Sequence, residues 1–351
     1  MPRVSLALLA YALLAACAEP APTYDLVLAG GQVMDPESGL DAVRNVGIRD
    51  GRIEAVSEEA LAGTRVIDVS GHVVSPGFID LHVHGQQEGS YSFAVRDGVT
   101  TALELEVGVP DIDAFYTALE GGQLLNYGAS IGHLGIRMDL LDDPGEGLVP
   151  AGIGGSGSLS PEQLDEMERR IREGLDRGAV AVGFGSAYSP GADMAELERM
   201  FAVAGERGAP VHIHMRNGPA GLDSTIATAG RVGAPLHIVH VNSSAGDDLE
   251  AFLARIAAAR VGGQDVTTET YPYGAGMTEI QSALFDDWET WPDDRFPQHQ
   301  LLPSGERATR ETFAEARARG GYVIIHSRTE ELTRAAVASP LTMIASDGFM
   351  M

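Results

Sequence analysis

From Tyr24 onward, short apolar runs alternate with turn residues in a pattern that predicts strands. Tyr24–Leu28 runs into Gly30-Gly31, Val43–Arg49 into Asp50-Gly51, and Arg52–Val56 and Arg65–Val69 follow. These runs predict a small β-sheet unit over residues 22–76. After Pro76-Gly77 the pattern changes to buried strands separated by helical periodicity. The strands predicted are Phe78–His84, Thr100–Val107, Ala129–Arg137, Ala179–Gly185, Val211–Arg216, Leu236–Val241, Val266–Tyr273 and Leu341–Asp347. Amphipathic helices are predicted at Pro161–Arg177, Met194–Arg207, Leu249–Arg260 and Ala308–Arg319. Eight strands alternating with helices predict an α/β fold, a (β/α)8 TIM-like barrel over 77–351, whose chemistry belongs at the C-terminal ends of the strands. The Gly/Ser-rich stretch 147–160 reads as a loop. Only four residues follow Asp347, too few for an eighth helix. The C-terminal end of the barrel and of the small domain is therefore expected to be missing.

The first residues read differently. Arg3 precedes an apolar run that is too short to span a bilayer and closes on Leu14-Ala15-Ala16-Cys17. Residues 1–16 are read as a signal peptide. The ending resembles the lipobox of bacterial lipoproteins, so Cys17 is expected to be lipidated and the mature chain exported, periplasmic or anchored to the membrane through that lipid alone.

Composition narrows the chemistry. All 24 basic residues are arginine, against 50 acidic ones, for a net charge of −26, and there is one cysteine. These counts exclude a disulfide framework, a thiolate zinc finger, a catalytic lysine and a lysine-derived bridging ligand. The acidic surface argues against nucleic acid as a partner, and an anionic small-molecule substrate would need a local basic pocket. Oligomeric state is not legible.

Histidines recur at predicted strand ends. His82 and His84 share one strand face, His214 ends the fifth strand, His240 the sixth and Asp347 the eighth. Their convergence on one rim predicts a metal site. His212 shares the face of His214 from a deeper position, which suits a supporting or core role. His237 is expected to face away from His240, as a packing residue.

The phrase Pro76-Gly77-Phe78-Ile79-Asp80-Leu81-His82-Val83-His84 resembles the HxH signature of the amidohydrolase superfamily. Gly98-Val99-Thr100-Thr101, Ile131-Gly132-His133, Tyr188-Ser189-Pro190-Gly191, His214-Met215-Arg216-Asn217, Tyr271-Pro272-Tyr273 and Ser346-Asp347-Gly348 resemble the N-acyl-D-amino-acid deacylase (D-aminoacylase) branch, in its order. That resemblance implies zinc on His82, His84, His214 and His240, and Asp347 as the catalytic acid/base. It also implies a further ligand on the second strand, where the branch carries cysteine and other relatives a carboxylated lysine. Here Thr101-Ala102-Leu103-Glu104-Leu105-Glu106-Val107-Gly108 offers only carboxylates. Glu104 and Glu106 share a face and Glu106 lies nearer the rim, so Glu106 is the expected ligand, with Glu104 the alternative. An oxygen donor widens the choice of ion to manganese or another divalent metal, and leaves one ion or two open.

The same resemblance implies that N-acyl-D-amino acids are hydrolysed, and the Glu-Leu-Glu-Val-Gly variant resembles sequences assigned to acyl-D-glutamate deacylases. Tyr188 is then a candidate oxyanion donor, against a turn-packing aromatic. Arg216 and Arg137 are candidates for the substrate carboxylate, against structural ion pairs. His133 would position neighbouring groups. The stretch Met277–Pro303, with Trp288 and Trp291, reads as a long loop that covers the site. Two alternatives stand beside this reading: a cyclic-amide or dipeptide hydrolase of the same superfamily, and a truncated, non-catalytic lipoprotein.

Overall fold

A computed structural model describes residues 23–85, 88–145 and 147–349; the signal segment and Cys17 lie outside them. The chain divides into two compact units between Gly77 and Phe78.

In the first unit the strand Thr23–Asp35 is central. It pairs antiparallel with Leu40–Arg49 and parallel with Ala62–Asp68 and Val73–Val74, and Arg52–Ser57 adds to the outer edge of Leu40–Arg49. The hairpin at Asp50-Gly51 is tight because both residues take positive φ, 50° and 71°, the geometry that matches strand twist. Tyr24, Val27, Val33 and Val46 are the buried side chains of this sheet.

The second unit is a nearly closed barrel of eight parallel strands. In sequence they are Phe78–Asp80, Val99–Val109, Asn126–Gly132, Val182–Gly185, Val211–His214, Leu236–Ile238, Val266–Thr270 and Thr342–Ile344, each paired with the next. The first and last strands meet at the rim, where Gly348–Phe349 pairs parallel with Val83–His84. Helices Pro161–Asp176, Met194–Arg207, Pro219–Val232 and Leu249–Val261 lie outside the strands. Strand alternation sorts the chemistry. Val211 and Ile213 join the apolar cluster that includes Leu197, Met200, Phe201 and Leu222, which leaves His212 and His214 on the opposite face.

Two expectations are corrected here. The third strand ends at Gly132, and residues predicted to extend it form a helix, His133–Leu141. Arg137 therefore sits inside a helix and not at a strand end. The stretch after the seventh strand is not a loop. Gly276–Glu279, His299–Leu301 and Tyr322–Ile325 form an antiparallel sheet with helix Arg310–Arg319. Phe285, Trp291, Phe296 and Phe313 give this insertion an aromatic core of its own, with ring pairs such as Phe285–Phe313 edge to face at 5.7 Å. Its strands are three or four residues long, too short for a period-2 pattern to register. No helix among the described residues is long and apolar enough to cross a membrane.

Candidate metal centre

The second barrel strand carries the central carboxylate. Its pairing with the third strand is broken between Glu104 and Val109, and Gly108 takes φ 67° there. A side chain at Gly108 would collide with Ser130 Oγ at 2.3 Å, so only glycine permits this bulge. Glu106, on the bulged segment, is buried at 3 % exposure. Its Oε1 lies 2.8 Å from His214 Nδ1 and 2.9 Å from His240 Nε2. Its Oε2 lies 3.3 Å from His82 Nε2 and 3.1 Å from His84 Nε2. One carboxylate thus joins two histidine pairs.

Asp347 Oδ1 approaches the first pair from the rim, 3.4 Å from His82 Nε2 and 3.6 Å from His84 Nε2. His240 and Asp347 are two of the four non-glycine residues with positive φ among the described residues, at 31° and 49°. Such backbone costs of order 1–3 kcal/mol and is retained where surrounding contacts fix it. His82, His84 and Asp347 form one group whose donor atoms all lie within 4.8 Å of one another, and His82, Glu106 and His240 form a second.

Whether a cation fits is decided by the donors themselves. Two imidazole nitrogens face each other at 3.1 Å in each pair, His82 Nε2 with His84 Nε2 and His240 Nε2 with His214 Nδ1. Outer carboxylates fix the first pair. His82 Nδ1–H donates to Glu269 at 2.5 Å and His84 Nδ1–H donates to Glu104 at 2.9 Å, so both Nε2 lone pairs point inward. Carboxylate–histidine couples of this kind orient metal ligands and raise their basicity. The residues fit one or two divalent ions, with Glu106 between the pairs and Glu104 behind His84.

Protonation follows the same geometry. Burial alone favours neutral His82, but Asp347, Glu269 and Glu106 outweigh it and push its pKa well up. Burial opposes protonation of His84 too, and Glu104 overcomes it, raising the pKa to about 10. Glu106 is held well below the usual carboxylate range by His82, His214 and His240 despite its burial. Burial and neighbouring His240 lower His214. Without metal, protons hold the first pair. Adding zinc near pH 7 is therefore expected to release protons, and zinc affinity is expected to fall as pH falls. A pH-stat titration that records zinc uptake without acid release would contradict this.

Sequence reasoning missed Glu269. It is 1 % exposed and also receives the His240 backbone N–H at 3.3 Å and approaches His237 Nε2 at 3.4 Å. An acid inside a buried strand was the available signal. His237 corrects an expectation: it lies within this network, its ring 4.5 Å from that of His212. The sixth strand ends at Ile238 and His240 turns left-handed, so alternation does not carry from one histidine to the other. His212 is neutralised by burial. His133 is remote from the centre and bonds Glu196 at 2.8 Å.

Of the two arginines offered for the substrate carboxylate, neither lines the cavity over the centre, and Arg137 takes the structural ion-pair alternative. Arg137 is fully buried. It donates through Nη1 to both oxygens of Glu196 at 2.6 and 2.7 Å, and through Nε and Nη2 to the carbonyls of Gly154 and Gly157. It has no free edge. Arg216 turns to the carbonyls of Ser189 and Ala192 and to Met194 Sδ, and burial lowers its pKa.

Above the donors lies a cavity of about 590 Å³, lined by His84, Glu106, His214, His240 and Asp347 below and by the insertion above. Tyr188 lines it, its ring 4.6 Å from that of His214. Its hydroxyl accepts from Thr278 Oγ1 at 3.3 Å. Burial and the Glu106 charge raise its pKa. Arg295 and Arg328 also line the cavity.

A model of the amidohydrolase family matches residues 73–257, just over half of the chain. Over 293 residues the chain is 29 % identical to an N-acyl-D-glutamate deacylase of Alcaligenes xylosoxydans xylosoxydans, taking in 72 % of this chain and 58 % of that protein. The chain thus spans less than two thirds of that relative. The structure of N-acyl-D-glutamate deacylase from Bordetella bronchiseptica, complexed with zinc and a phosphonate mimic of the tetrahedral intermediate, aligns with TM-score 0.77 at 22 % identity, covering 93 % of this chain and 76 % of the other. A D-aminoacylase structure concerned with its binuclear metal center aligns at 0.71 and 22 % identity, covering 92 % and 75 %. At these identities the structural likeness speaks to the fold.

Proposed function

The chain belongs to the amidohydrolase family, and from that premise we propose that it hydrolyses the amide bond of N-acyl-D-amino acids, N-acyl-D-glutamate among them, using bound divalent metal. The observation that carries this reading is Glu106 shared between two histidine pairs beneath a cavity with Asp347 at its rim. The names of the relatives support the substrate class.

His82 and His84 would hold one ion and His214 and His240 another, with Glu106 common to both; zinc is the first choice and manganese the alternative. When bound, such ions polarise an amide carbonyl and bring the pKa of water towards about 7. Asp347 Oδ1 accepts the proton of the attacking water and returns it to the departing nitrogen. The Tyr188 hydroxyl is kept protonated by burial and by Glu106. Because Thr278 donates to it, its own proton is free for the carbonyl oxygen as negative charge develops. Glu104 and Glu269 hold the two imidazoles of the first pair in register.

The test is turnover by the zinc- or manganese-loaded full chain on D- and L-N-acetyl amino acids, hydantoins, dihydroorotate and dipeptides. Release of free amino acid from the D-acyl compounds, with at least about tenfold preference over L, is expected. Activity confined to the cyclic amides would overturn the choice of substrate.

A further inference from the structure

Arg137 and Arg216 do not line the cavity, whereas Arg295 and Arg328 do. We propose that Arg328 is the residue that receives the carboxylate of the acyl amino acid, an assignment that rests on the hydrolase reading above.

The position is built. The Arg328 backbone N–H donates to the Gly274 carbonyl at 3.3 Å, which fixes the residue where the insertion returns to the barrel. Its Nη1 donates to Ser243 Oγ at 3.1 Å and Ser327 Oγ at 3.4 Å. Its Cζ lies 5.0 Å from the centre of the Tyr271 ring, within the range of a cation–π contact. Gly276 leaves room for it: a Cβ there would meet Arg328 Nη2 at 2.8 Å and the Tyr271 hydroxyl at 2.9 Å.

Two of its donors are unused. Nε and Nη2 are buried and have no hydrogen-bond partner among the described residues. Together they form one edge of the guanidinium, two parallel N–H groups spaced to receive both oxygens of a carboxylate. Buried donors left unpaired cost free energy, and a charged acceptor removes that cost. Arg295, the other arginine at the cavity, lies over the Trp291 ring at 3.7 Å. The acidic groups that line the cavity are Glu106, Glu279 and Asp347, so an anionic ligand needs a specific cation to enter at all.

The spacing suits an acyl amino acid. Ser243 lies three residues beyond His240 on the same turn, and its N–H donates to the His240 carbonyl at 2.8 Å. Tyr271 neighbours both the guanidinium and the His240 imidazole, its ring centre 6.1 Å from that of His240. In the substrate three bonds, about 4 Å, separate the scissile carbonyl carbon from the carboxylate carbon. The histidine pairs, Tyr271 and Arg328 line one cavity, so a carbonyl over the histidines and a carboxylate at Arg328 share that space.

The experiment compares zinc-loaded wild type, Arg328→Met and Arg328→Lys on N-acetyl-D-glutamate, N-acetyl-D-leucine and the uncharged N-acetyl-D-leucinamide. In Arg328→Met, kcat/KM on the acids is expected to fall by about 100-fold or more, carried by KM, with the amide within about threefold of wild type. Arg328→Lys keeps the charge without the fork and should recover only part of the loss. A loss confined to the glutamate derivative assigns Arg328 to the side-chain carboxylate; a loss shared with the leucine derivative assigns it to the α-carboxylate. Equal losses on acids and amide, or no loss on the acids, would overturn the assignment. If wild type hydrolyses none of these compounds, the hydrolase reading falls by itself. Calorimetric binding of N-acetyl-D-glutamate then decides Arg328: binding abolished in Arg328→Met upholds it, binding unchanged overturns it.

Discussion

In Glu106→Gln protein, bound divalent metal is expected to fall below about a tenth of the wild-type stoichiometry after gel filtration, and amide hydrolysis to fall on the order of 10³-fold. The expectation follows from how the carboxylate is shared. Its two oxygens each lie within 3.3 Å of two imidazole nitrogens. Glutamine keeps the shape but removes the charge and turns one ligand oxygen into an N–H donor aimed at imidazole nitrogens. Both histidine pairs lose their common anion at once. Glu104→Gln is the control, because Glu104 touches only the outer nitrogen of His84 and, at 3.4 Å, the Gly108 N–H. Its loss should weaken metal binding by about 10- to 100-fold, the range for a group that orients a ligand. Metal content measured by atomic absorption in both variants decides between them. Undiminished metal in Glu106→Gln, with loss in Glu104→Gln, would transfer the bridging role to Glu104.

The balance of carboxylates and imidazoles explains why this interior is stable only as a set. Glu104, Glu106 and Glu269 are each at most 4 % exposed, and ionised acids at such depth are costly unless paired. His82 and His84 meet that need in the metal-free protein by holding protons, and divalent cations at the centre would meet it too.

Much of this centre could be read from the chain because two simple rules apply to it. Alternation along a strand places His82 and His84, or Glu104 and Glu106, on one face, and parallel barrels put functional groups at the C-terminal rim. Where those rules lapse, so did the reading. Alternation misplaces His237 because the strand stops at Ile238 and His240 takes a left-handed turn. The strand pattern runs on to Arg137 because nothing in Gly132-His133 announces a helix start; Gly132 makes no side-chain cap. The insertion read as a loop because its order comes from aromatic packing over long separations, as between Phe285 and Phe313, and not from local periodicity. Arg328 had no motif around it. Only the arrangement of Ser243, Tyr271 and Gly276 marks its unused edge, and these lie far from it in sequence.

Asp347→Asn is expected to lower kcat by about 10²- to 10⁴-fold, with little change in KM, while Glu106 and the four histidines still take up metal. The substitution isolates proton transfer from architecture. Residue 347 sits at φ 49°, a left-handed conformation that asparagine adopts as readily as aspartate. The flanking chain is held independently of its side chain: the Ser346 N–H donates to Asp80 at 3.1 Å, the Gly348 N–H donates to Ser346 Oγ at 2.9 Å, and Gly348 and Phe349 pair with Val83 and His84. An asparagine amide can still lie against His82 and His84, but it cannot accept a proton from water and pass it to the leaving nitrogen. Zinc content and thermal midpoint near wild type, with kcat collapsed, would identify Asp347 as the group that moves the proton. Equal losses of zinc and of kcat would instead make it mainly a ligand. A kcat within about threefold of wild type would remove it from the chemistry and require another acid at the rim.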